Sequence, residues 1–328
     1  MSELETGFRI GDVLLVREDL AGSVQRVGTS EYEARNVIVP TVMAVDRGYA
    51  WADLELAGTT VRFVTTHLES LWEPDAVPIA STAARQLVAD TASGSGPLVI
   101  MGDFNSDPRD PRPEGALNPA TQPTASDTCP AQVADPTAQT AHSECSAYWV
   151  MRQAGFDAAG PNEFDPANYS WGGSELLAGP DPARLTDALT LGNQNGFTDR
   201  LDYVFVRNGV TGESGQLVGN VWPNGPELWA CDDPEQVANT RAAGEVLTDA
   251  GLPGPTGSSG QCLPSDHAGV VAVLNVDPSR SAADDPPPTE HDPFRLVWWH
   301  IALVLLVVAV VGVWWMMHRR RARRRAAA

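Results

Sequence analysis

The chain has 328 residues, of which 43% are apolar and 20% charged, the balance of a globular protein and not of a disordered chain. Its 22 basic residues are all arginines, and 42 acidic residues leave a formal net charge of −20. Six of the arginines lie among the last ten residues, so residues 1–318 carry 16 positive and 42 negative charges, a net charge of −26. This strongly negative net charge argues against a protein that binds DNA or RNA through a broad basic face.

Apolar runs typical of β-strands recur through the first hundred residues, with turn signals between them. These runs predict strands over residues 13–16, 37–45, 49–56, 61–66 and 98–101. Residues 78–91 fit a helix with Ile79, Ala83, Leu87 and Val88 on one face. Further along, the sequence predicts a helix over 143–154 and strands over 199–206 and 269–276.

Residues 107–140 are rich in Pro, Asp, Thr and Ala, and residues 208–264 are rich in Gly, Pro and Asn; both stretches are predicted to be long loops. Each contains part of the set of four cysteines, which suits an exported domain with two disulfides. Sequence order favours Cys129 with Cys145 and Cys231 with Cys262, although three connectivities are possible. Four free thiols are the alternative.

From Leu296 to Met317 there are 22 consecutive residues without a formal charge, interrupted only by His300. As a helix they would span about 33 Å, the thickness of a bilayer core. Tryptophan pairs lie near both ends, and the arginine cluster follows directly. These features predict a transmembrane helix; the alternative, a buried core helix, does not account for the arginines.

The predicted organisation is therefore a domain over residues 1–276, a Pro/Asp-rich linker over 277–295, the membrane span over 296–317 and an Arg-rich tail over 318–328. By the positive-inside rule the tail is cytoplasmic, and the domain of this single-pass cell-membrane protein is extracytoplasmic. Such a domain needs an export signal, yet charged residues interrupt the apolar ones throughout Met1–Asp19. We expect the true N-terminus to lie upstream of Met1; an anchor in the opposite orientation is the alternative.

Four short segments place polar residues directly after apolar strands, where sites form on sheet scaffolds. In chain order they read TTHLE (65–69), MGDFNS (101–106), DRLDY (199–203) and PSDH (264–267). On an extended backbone Asp103 and Asn105 would share one face, where an acid and an amide can position a water and a phosphoryl oxygen. Taken singly, each segment also has a structural interpretation: a turn, a structural histidine, a strand-end ion pair or a helix cap.

The order of these segments resembles that of the endonuclease/exonuclease/phosphatase superfamily, which has the deoxyribonuclease I-like fold. There, THL, GDFN, (R)(I/L)DY and terminal SDH segments follow one another in this order, and the match covers about residues 7–276. The resemblance implies an α/β fold, a two-sheet α/β sandwich whose site lies where the sheet edges meet. It also implies a metal-dependent hydrolase that cleaves a phosphodiester or phosphomonoester with activated water.

The family pattern gives each matching residue a role. His67 becomes a phosphoryl ligand and proton donor, Asp103 orients or deprotonates the water, and Asn105 hydrogen-bonds the phosphate. His267 binds a phosphoryl oxygen as an imidazolium that Asp202 holds. Elementary chemistry agrees, because a phosphoester needs positive charge on its oxygens and a base for the water. A carboxylate behind an imidazole raises the imidazole pKa.

The same pattern places Asp266 near a metal ion. Hard oxygen ligands without a thiolate or histidine cluster suit Mg²⁺, or Mn²⁺ or Ca²⁺, better than Zn²⁺. Asn168–Trp171 resembles the aromatic-Thr/Ser-aromatic stretch of the family, which implies that Tyr169 and Trp171, with Asn105, bind substrate. A core strand is the alternative for this stretch.

The superfamily also has an Asn on its first strand and a metal-binding Glu on its second, and neither has a counterpart in this sequence. We expect both upstream of Met1, with these 328 residues as the C-terminal part of an active hydrolase. The acidic body favours a lipid headgroup or small-molecule phosphoester, with an extracellular nuclease as the alternative. A catalytically inactive, membrane-tethered binding domain or a truncated fragment is the alternative of another class. No protein partner is indicated.

Overall fold

The computed structural model describes residues 11–39, 43–73, 76–113, 123–131, 143–172, 182–185, 189, 197–219, 229–251, 261–262 and 265–289. In chain order the strands are β1 (Val24–Glu31), β2 (Asn36–Val39), β3 (Met43–Val45), β4 (Gly48–Leu56), β5 (Thr59–His67), β6 (Leu98–Asp103), β7 (Asp157–Ala159), β8 (Asp202–Arg207), β9 (Val210–Val218), β10 (Trp229–Ala230), β11 (Gln261–Cys262) and β12 (Gly269–Val276). The helices are α1 (Ile79–Thr91), α2 (Ala147–Gln153) and α3 (Pro234–Asp249). Short 3-10 helices cover Glu18–Ser23, Ser143–Cys145, Pro166–Asn168 and Pro182–Arg184.

Six strands form one mixed sheet in the order β1-β4-β5-β6-β8-β7. Strands β5 and β6 run parallel, and every other neighbouring pair in this sheet is antiparallel. A parallel pair needs a crossover connection, and α1 supplies it between β5 and β6. Strands β9 and β12 form a separate antiparallel pair, as do β2 with β3 and β10 with β11.

The six-stranded sheet has a hydrophobic cluster on each face. One cluster joins α1 and α2 to the sheet through fully buried side chains such as Leu87, Met151 and Phe205. The other packs valines of β5, β6 and β8 against partly buried residues of β12, among them Val270 and Leu274. The described domain is therefore an α/β fold in which α1 and α2 cover one face of the main sheet and the β9–β12 pair covers the other.

The structure confirms the predicted strands over 49–56, 61–66, 98–101, 199–206 and 269–276 and the helices over 78–91 and 143–154, with shifted ends. In place of the single strand predicted over 37–45, the described residues form two antiparallel strands, β2 and β3. The prediction of a strand over 13–16 is wrong, because these residues are extended without a ladder partner, and Val13 and Leu15 are 70% and 88% exposed.

The predicted loop over 208–264 is wrong where the structure has strands β9, β10 and β11 and helix α3. Strand β9 is rich in Gly and polar residues and has little intrinsic strand preference, so its pairing with β12 decides its conformation. Helix α3 did carry sequence signals that the loop prediction overlooked. Asp233 caps its first turn with hydrogen bonds from Glu235 N and Gln236 N, and Pro234 opens it.

One of the two predicted disulfides is present. Cys129 and Cys145 are bonded, whereas Cys231 and Cys262 are free thiols, so the second pairing is not formed. Both thiols point to the same acceptor, Gln236 Oε1, at 3.2 and 3.7 Å. They are neighbours although no bond joins them.

The predicted linker begins later than expected, because residues 277–289, here called the C-terminal strap, pack back onto the sheet. Ala282 is fully buried and its N–H donates to Thr60 O at 2.8 Å. The Asp285 carboxylate accepts hydrogen bonds from Ser95 N and Gly96 N at 3.0 and 2.9 Å. The compact unit thus ends at Thr289 and not at Val276.

A buried carboxylate anchors the strap to the sheet. Asp53 on β4 is fully buried and accepts from Arg26 Nε at 2.7 Å and Arg62 Nε at 2.8 Å. The same two guanidinium groups donate to strap carbonyls, Arg26 to Ala282 O and Arg62 to Pro286 O, at 3.0 and 2.7 Å. In the part of the chain that the structure describes, no helix is long and apolar enough to cross a bilayer. The predicted span over 296–317 lies outside the described residues.

Replacement of Asp285 with alanine should loosen the strap, because two backbone N–H groups lose a charged acceptor. We expect the free energy of unfolding to fall by about 1–3 kcal/mol, measured by urea denaturation. The control is Asp284→Ala, the exposed neighbour, which should change it little. Equal stability of the two variants would contradict the anchoring role of Asp285.

Candidate active site

The registers of three adjacent strands bring three polar side chains to one end of the main sheet. His67 is the last residue of β5 and pairs in the ladder with Asp103, the last residue of β6. Asp103 in turn pairs with Asp202, the first residue of β8. Since laterally paired residues are neighbours on one face, His67, Asp103 and Asp202 form a row across the sheet.

A glycine makes this row possible. Gly102 has a φ of +143°, and a Cβ at this position would lie 1.8 Å from Thr66 O on β5. Any larger residue would force β5 and β6 apart one step before His67 and Asp103. Steric contact with β5 thus explains why the GDFN segment has a glycine at this position.

His267, which lies two residues before β12, completes the site. Its Nδ1 is 3.0 Å from Asp202 Oδ2, and its Nε2 is 3.8 Å from Asp103 Oδ2. His67 Nε2 is 3.3 Å from the same Asp103 oxygen, Oδ2. Two carboxylates and two imidazoles therefore converge, and all four side chains are partly accessible to solvent.

The charges of these groups are interdependent. Burial by itself would lower the pKa of His267, but the hydrogen bond and charge of Asp202, with the charges of Asp103 and Asp266, raise it to about 9. Burial would raise the pKa of Asp103, yet the hydrogen bond from His67 and the charge of His267 hold it below its usual value. Burial and the charge of Asp103 raise the pKa of Asp202. At neutral pH the site holds an imidazolium at His267 beside an ionised Asp103.

Asn105 reaches the site through a turn and not on the extended backbone that the sequence interpretation assumed. Its φ is +45°, a left-handed conformation that Asn tolerates, and its N–H donates to Asp103 Oδ1 at 2.8 Å. Its side-chain Nδ2 donates to Leu68 O at 2.8 Å. Asn105 therefore fixes the Asp103 carboxylate and ties the turn to the end of β5.

The structure separates the remaining predicted site residues. Trp171 is half-buried with its ring 6.3 Å from that of His267, and its Nε1 donates to Asp266 Oδ2 at 3.1 Å. Tyr169 is only 4% exposed, and the guanidinium of Arg109 covers its ring at 4.4 Å. Trp171 thus lies beside His267, whereas Tyr169 is a buried core side chain.

Sequence reasoning missed Ser170, which lies between those two aromatic residues. Its hydroxyl donates to Asp202 Oδ2 at 2.7 Å and accepts from Leu201 N and Asp202 N at 3.0 and 3.2 Å. Ser170 is fully buried. It therefore holds the carboxylate oxygen that contacts His267, and the segment in which it lies was already singled out by its aromatic residues.

Asp12 was also missed, and no sequence signal marks it. Its half-buried carboxylate accepts a hydrogen bond from the His67 backbone N–H and lies within electrostatic reach of Arg47 and Asp103. Burial raises the pKa of Asp12 to about 6, against the opposing effect of His67 and Arg47. Arg47 itself pairs with the buried Glu69 at 3.5 Å, so a further set of charges borders the site.

Among the described residues, Asp103, Asp202 and His267 form the group whose ligand atoms lie within 4.8 Å of one another. As an imidazolium, His267 has no lone pair to offer, so the group presents carboxylate oxygens, which fit a hard divalent cation such as Mg²⁺. Asp266, the predicted metal ligand, lies outside this group, and its carboxylate accepts from the indole of Trp171.

The family model described as "Endonuclease/Exonuclease/phosphatase family" matches residues 13–267, more than three quarters of the chain. The chain belongs to the endonuclease/exonuclease/phosphatase family. Members of this family are phosphoester hydrolases and typically depend on a divalent metal. The matched range contains all four segments that carry the site.

Solved structures of family proteins are similar to this chain at low identity. A family protein from Bacteroides thetaiotaomicron is 13% identical, with a TM-score of 0.40 over 77% of this chain and 65% of that one. The mannosyl-6-phosphatase Bt3783 of Bacteroides thetaiotaomicron VPI-5482 is 12% identical, with a TM-score of 0.36 over 77% and 66%. TDP2 of D. rerio, solved with a single-strand DNA product, is 14% identical, with a TM-score of 0.36 over 77% and 68%.

The chain thus spans slightly less than two thirds of the first two of these proteins. No match was found among curated protein sequences.

The protonation of His267 can be measured directly. Because Asp202, Asp103 and Asp266 stabilise the imidazolium, we expect its NMR titration midpoint near pH 9. Asp202→Asn removes the hydrogen-bonded charge and should move the midpoint down towards the ordinary value of about 6.5. The same shift means that the contribution of His267 to stability is complete below about pH 6.5 and is lost as pH rises through 9. A wild-type midpoint near 6.5 would contradict the ion pair.

Ser170→Ala removes one hydrogen bond to the Asp202 carboxylate. A hydrogen bond to a charged group contributes about 1.5–3 kcal/mol, so we expect kcat of the family's hydrolytic reaction to fall about tenfold or more. The control is Ser279→Ala, which removes an exposed serine-to-aspartate bond, Ser279 Oγ to Asp277 Oδ1 at 2.7 Å, remote from the site. An unchanged kcat in Ser170→Ala would exclude this role.

Proposed function

We propose that this chain hydrolyses a phosphodiester or phosphomonoester with an activated water at the site formed by His67, Asp103, Asp202 and His267. The observation that carries the proposal is the shared contact at Asp103 Oδ2, which has His67 Nε2 at 3.3 Å and His267 Nε2 at 3.8 Å. A carboxylate between two imidazoles can accept a proton from water, and an imidazolium beside it supplies positive charge to the phosphoryl oxygens.

Each side chain has a distinct task in this proposal. Asp103 is ionised, because its pKa lies below the usual value, and it accepts the proton of the attacking water. His267 carries the proton that Asp202 stabilises, and as an imidazolium it binds a phosphoryl oxygen. His67 binds a second oxygen or donates a proton to the leaving group. Asn105 keeps the Asp103 carboxylate in place through its backbone N–H.

The divalent ion typical of the family would lie on the carboxylates of Asp103 and Asp202, whose oxygens suit Mg²⁺, Mn²⁺ or Ca²⁺. When bound, such an ion neutralises charge on the phosphoryl group and on the leaving oxygen. Trp171, half-buried beside His267, offers an aromatic surface next to the imidazolium for a substrate to contact.

The substrate class that fits this protein best is a lipid headgroup or a small phosphoester. Residues 1–318 carry a net charge of −26, and such a body repels a long polyanion at a distance. The predicted span over 296–317 supports a location on the extracytoplasmic face of a cell membrane, where lipid phosphoesters are abundant. A nuclease acting on short or single-stranded ends is the second candidate, since the charge argument weakens for short polyanions.

The test is hydrolysis of bis-p-nitrophenyl phosphate and p-nitrophenyl phosphate by the full chain with Mg²⁺ and with EDTA. Asp103→Asn keeps the size of the side chain but removes the base, and we expect kcat to fall by about 10²–10⁴-fold. The control is Asp284→Asn, an exposed aspartate in the strap, which should leave kcat unchanged.

Turnover that survives EDTA or Asp103→Asn would overturn the proposed mechanism. A folded chain that binds phosphoesters without turnover would favour a binding domain over a hydrolase.

A further inference from the structure

A buried ion cluster lies directly behind the candidate site. Asp107 is fully buried and accepts from Arg109 Nε and Nη2, both at 2.7 Å. Arg112 Nη2 lies 3.5 Å from Asp107 Oδ1 and hydrogen-bonds to Asp199, which is also fully buried. Asp110 adds a third carboxylate, 3.0 Å from Arg112 Nε. None of these five residues belongs to the proposed catalytic set.

The cluster joins the loop that follows β6 to the loop that precedes β8. Asp107, four residues after Asp103, accepts the backbone N–H of Arg200 at 2.8 Å. Arg109 Nη2 donates to Thr198 O at 2.7 Å. Both contacts extend the β6–β8 pairing beyond its last ladder pair, which is Asp103 with Asp202.

The same cluster holds a third segment, the one that carries Ser170. The guanidinium of Arg109 lies 4.4 Å from the centre of the Tyr169 ring. Ser170 N donates to Asp199 O at 2.7 Å, and the Ser170 hydroxyl donates to Asp202. All three segments that fix the Asp103 and Asp202 carboxylates are therefore tied to one set of buried charges.

Stability alone is a poor explanation for this arrangement. Taking several charges out of water costs as much as, or more than, their mutual attraction returns, whereas paired arginine and carboxylate groups define geometry closely. Two arginines balance Asp107 and Asp199, and burial raises the pKa of the third carboxyl group, Asp110, to about 7. Arg109 and Arg112 outweigh the effect of burial at Asp107 and lower its pKa to about 2. Asp107 is thus the permanently charged acceptor at the centre of the cluster.

We infer that Asp107 is a positioning residue for the reaction. Through Arg109 and the Arg200 backbone it holds the loops after β6 and before β8 at the spacing that lets Asp103 and Asp202 share His267. It contacts neither the substrate nor the water. The inference rests on the proposed hydrolase function and extends it to a residue outside the site.

The test compares Asp107→Asn with Asp53→Asn in the full chain. Asp53 is a matched control, because it too is fully buried and ion-paired with two arginines, Arg26 and Arg62. Its ladder partner on β5, Arg62, lies five residues before His67, which is about 17 Å along the strand. Thermal unfolding, kcat and KM for bis-p-nitrophenyl phosphate, and crystal structures are measured for both, with kinetics at a temperature where both are folded.

Both variants should unfold at lower temperature than the wild type, since each loses a buried charge pair. Only Asp107→Asn should lower kcat, by about 10–100-fold with KM unchanged, because small displacements of reacting groups have effects of this size. A fall of kcat in Asp53→Asn as large as in Asp107→Asn, or none in either, would overturn the inference.

The structures give a readout that does not depend on activity. In Asp107→Asn the His267 Nδ1 to Asp202 Oδ2 distance, 3.0 Å in the wild type, should lengthen, and in Asp53→Asn it should not. An unchanged distance in both variants overturns the positioning role. A wild-type chain without turnover refutes the proposed function instead, and the two distances then decide the positioning role by themselves.

Discussion

The site depends on one electrostatic constraint: Asp103 and Asp202 are lateral partners on adjacent strands, at the same end of the sheet. Like charges placed directly opposite each other in a ladder repel, and burial increases the cost. The imidazolium of His267, which contacts both carboxylates, resolves this conflict. The hydrogen bond and charge of Asp202 raise the pKa of His267, while the hydrogen bond from His67 and the charge of His267 lower the pKa of Asp103, so the acid and the base of the proposed reaction arise from one set of contacts.

The rest of the fold brings these four groups together from distant parts of the chain. The parallel pairing of β5 with β6, through the crossover helix α1, aligns His67 with Asp103, and Gly102 allows the strands to approach. The segment before β12 then returns His267 to the same edge, where Trp171 bridges to it. Each contact depends on the register, because a shift by one residue would turn the side chains to the opposite face.

Two buried ion clusters perform different tasks in this molecule. Asp53, with Arg26 and Arg62, attaches the C-terminal strap to the outer part of the sheet. The cluster around Asp107 lies behind the site and joins the loop after β6, which follows Asp103, to the loop before β8, which precedes Asp202. Both are made of arginine, the only basic residue type in the chain besides histidine, and its planar fork suits bidentate pairing. In this strongly acidic protein, several of the few arginines therefore hold loops and the strap in position.

The sequence by itself was enough to identify the four polar segments, the family and most of the strands and helices that bear the site. Local patterns carry that information: the apolar runs along β4 and β5, the helical face of α1, and the fixed order of THL, GDFN, RLDY and SDH. The α3 helix belongs with them, because the cap at Asp233 and Pro234 is also a local signal.

Only the tertiary structure decided which of those residues act together. It brought Ser170 and Asp12 to the site, buried Tyr169 beneath Arg109, turned Asn105 towards the end of β5, left Cys231 and Cys262 unbonded, and folded the strap onto the sheet. It also made a strand of β9, whose composition does not favour one. The physical reason is common to all of these cases: burial, lateral register and charge compensation join residues that are far apart in the chain, and no local pattern encodes them.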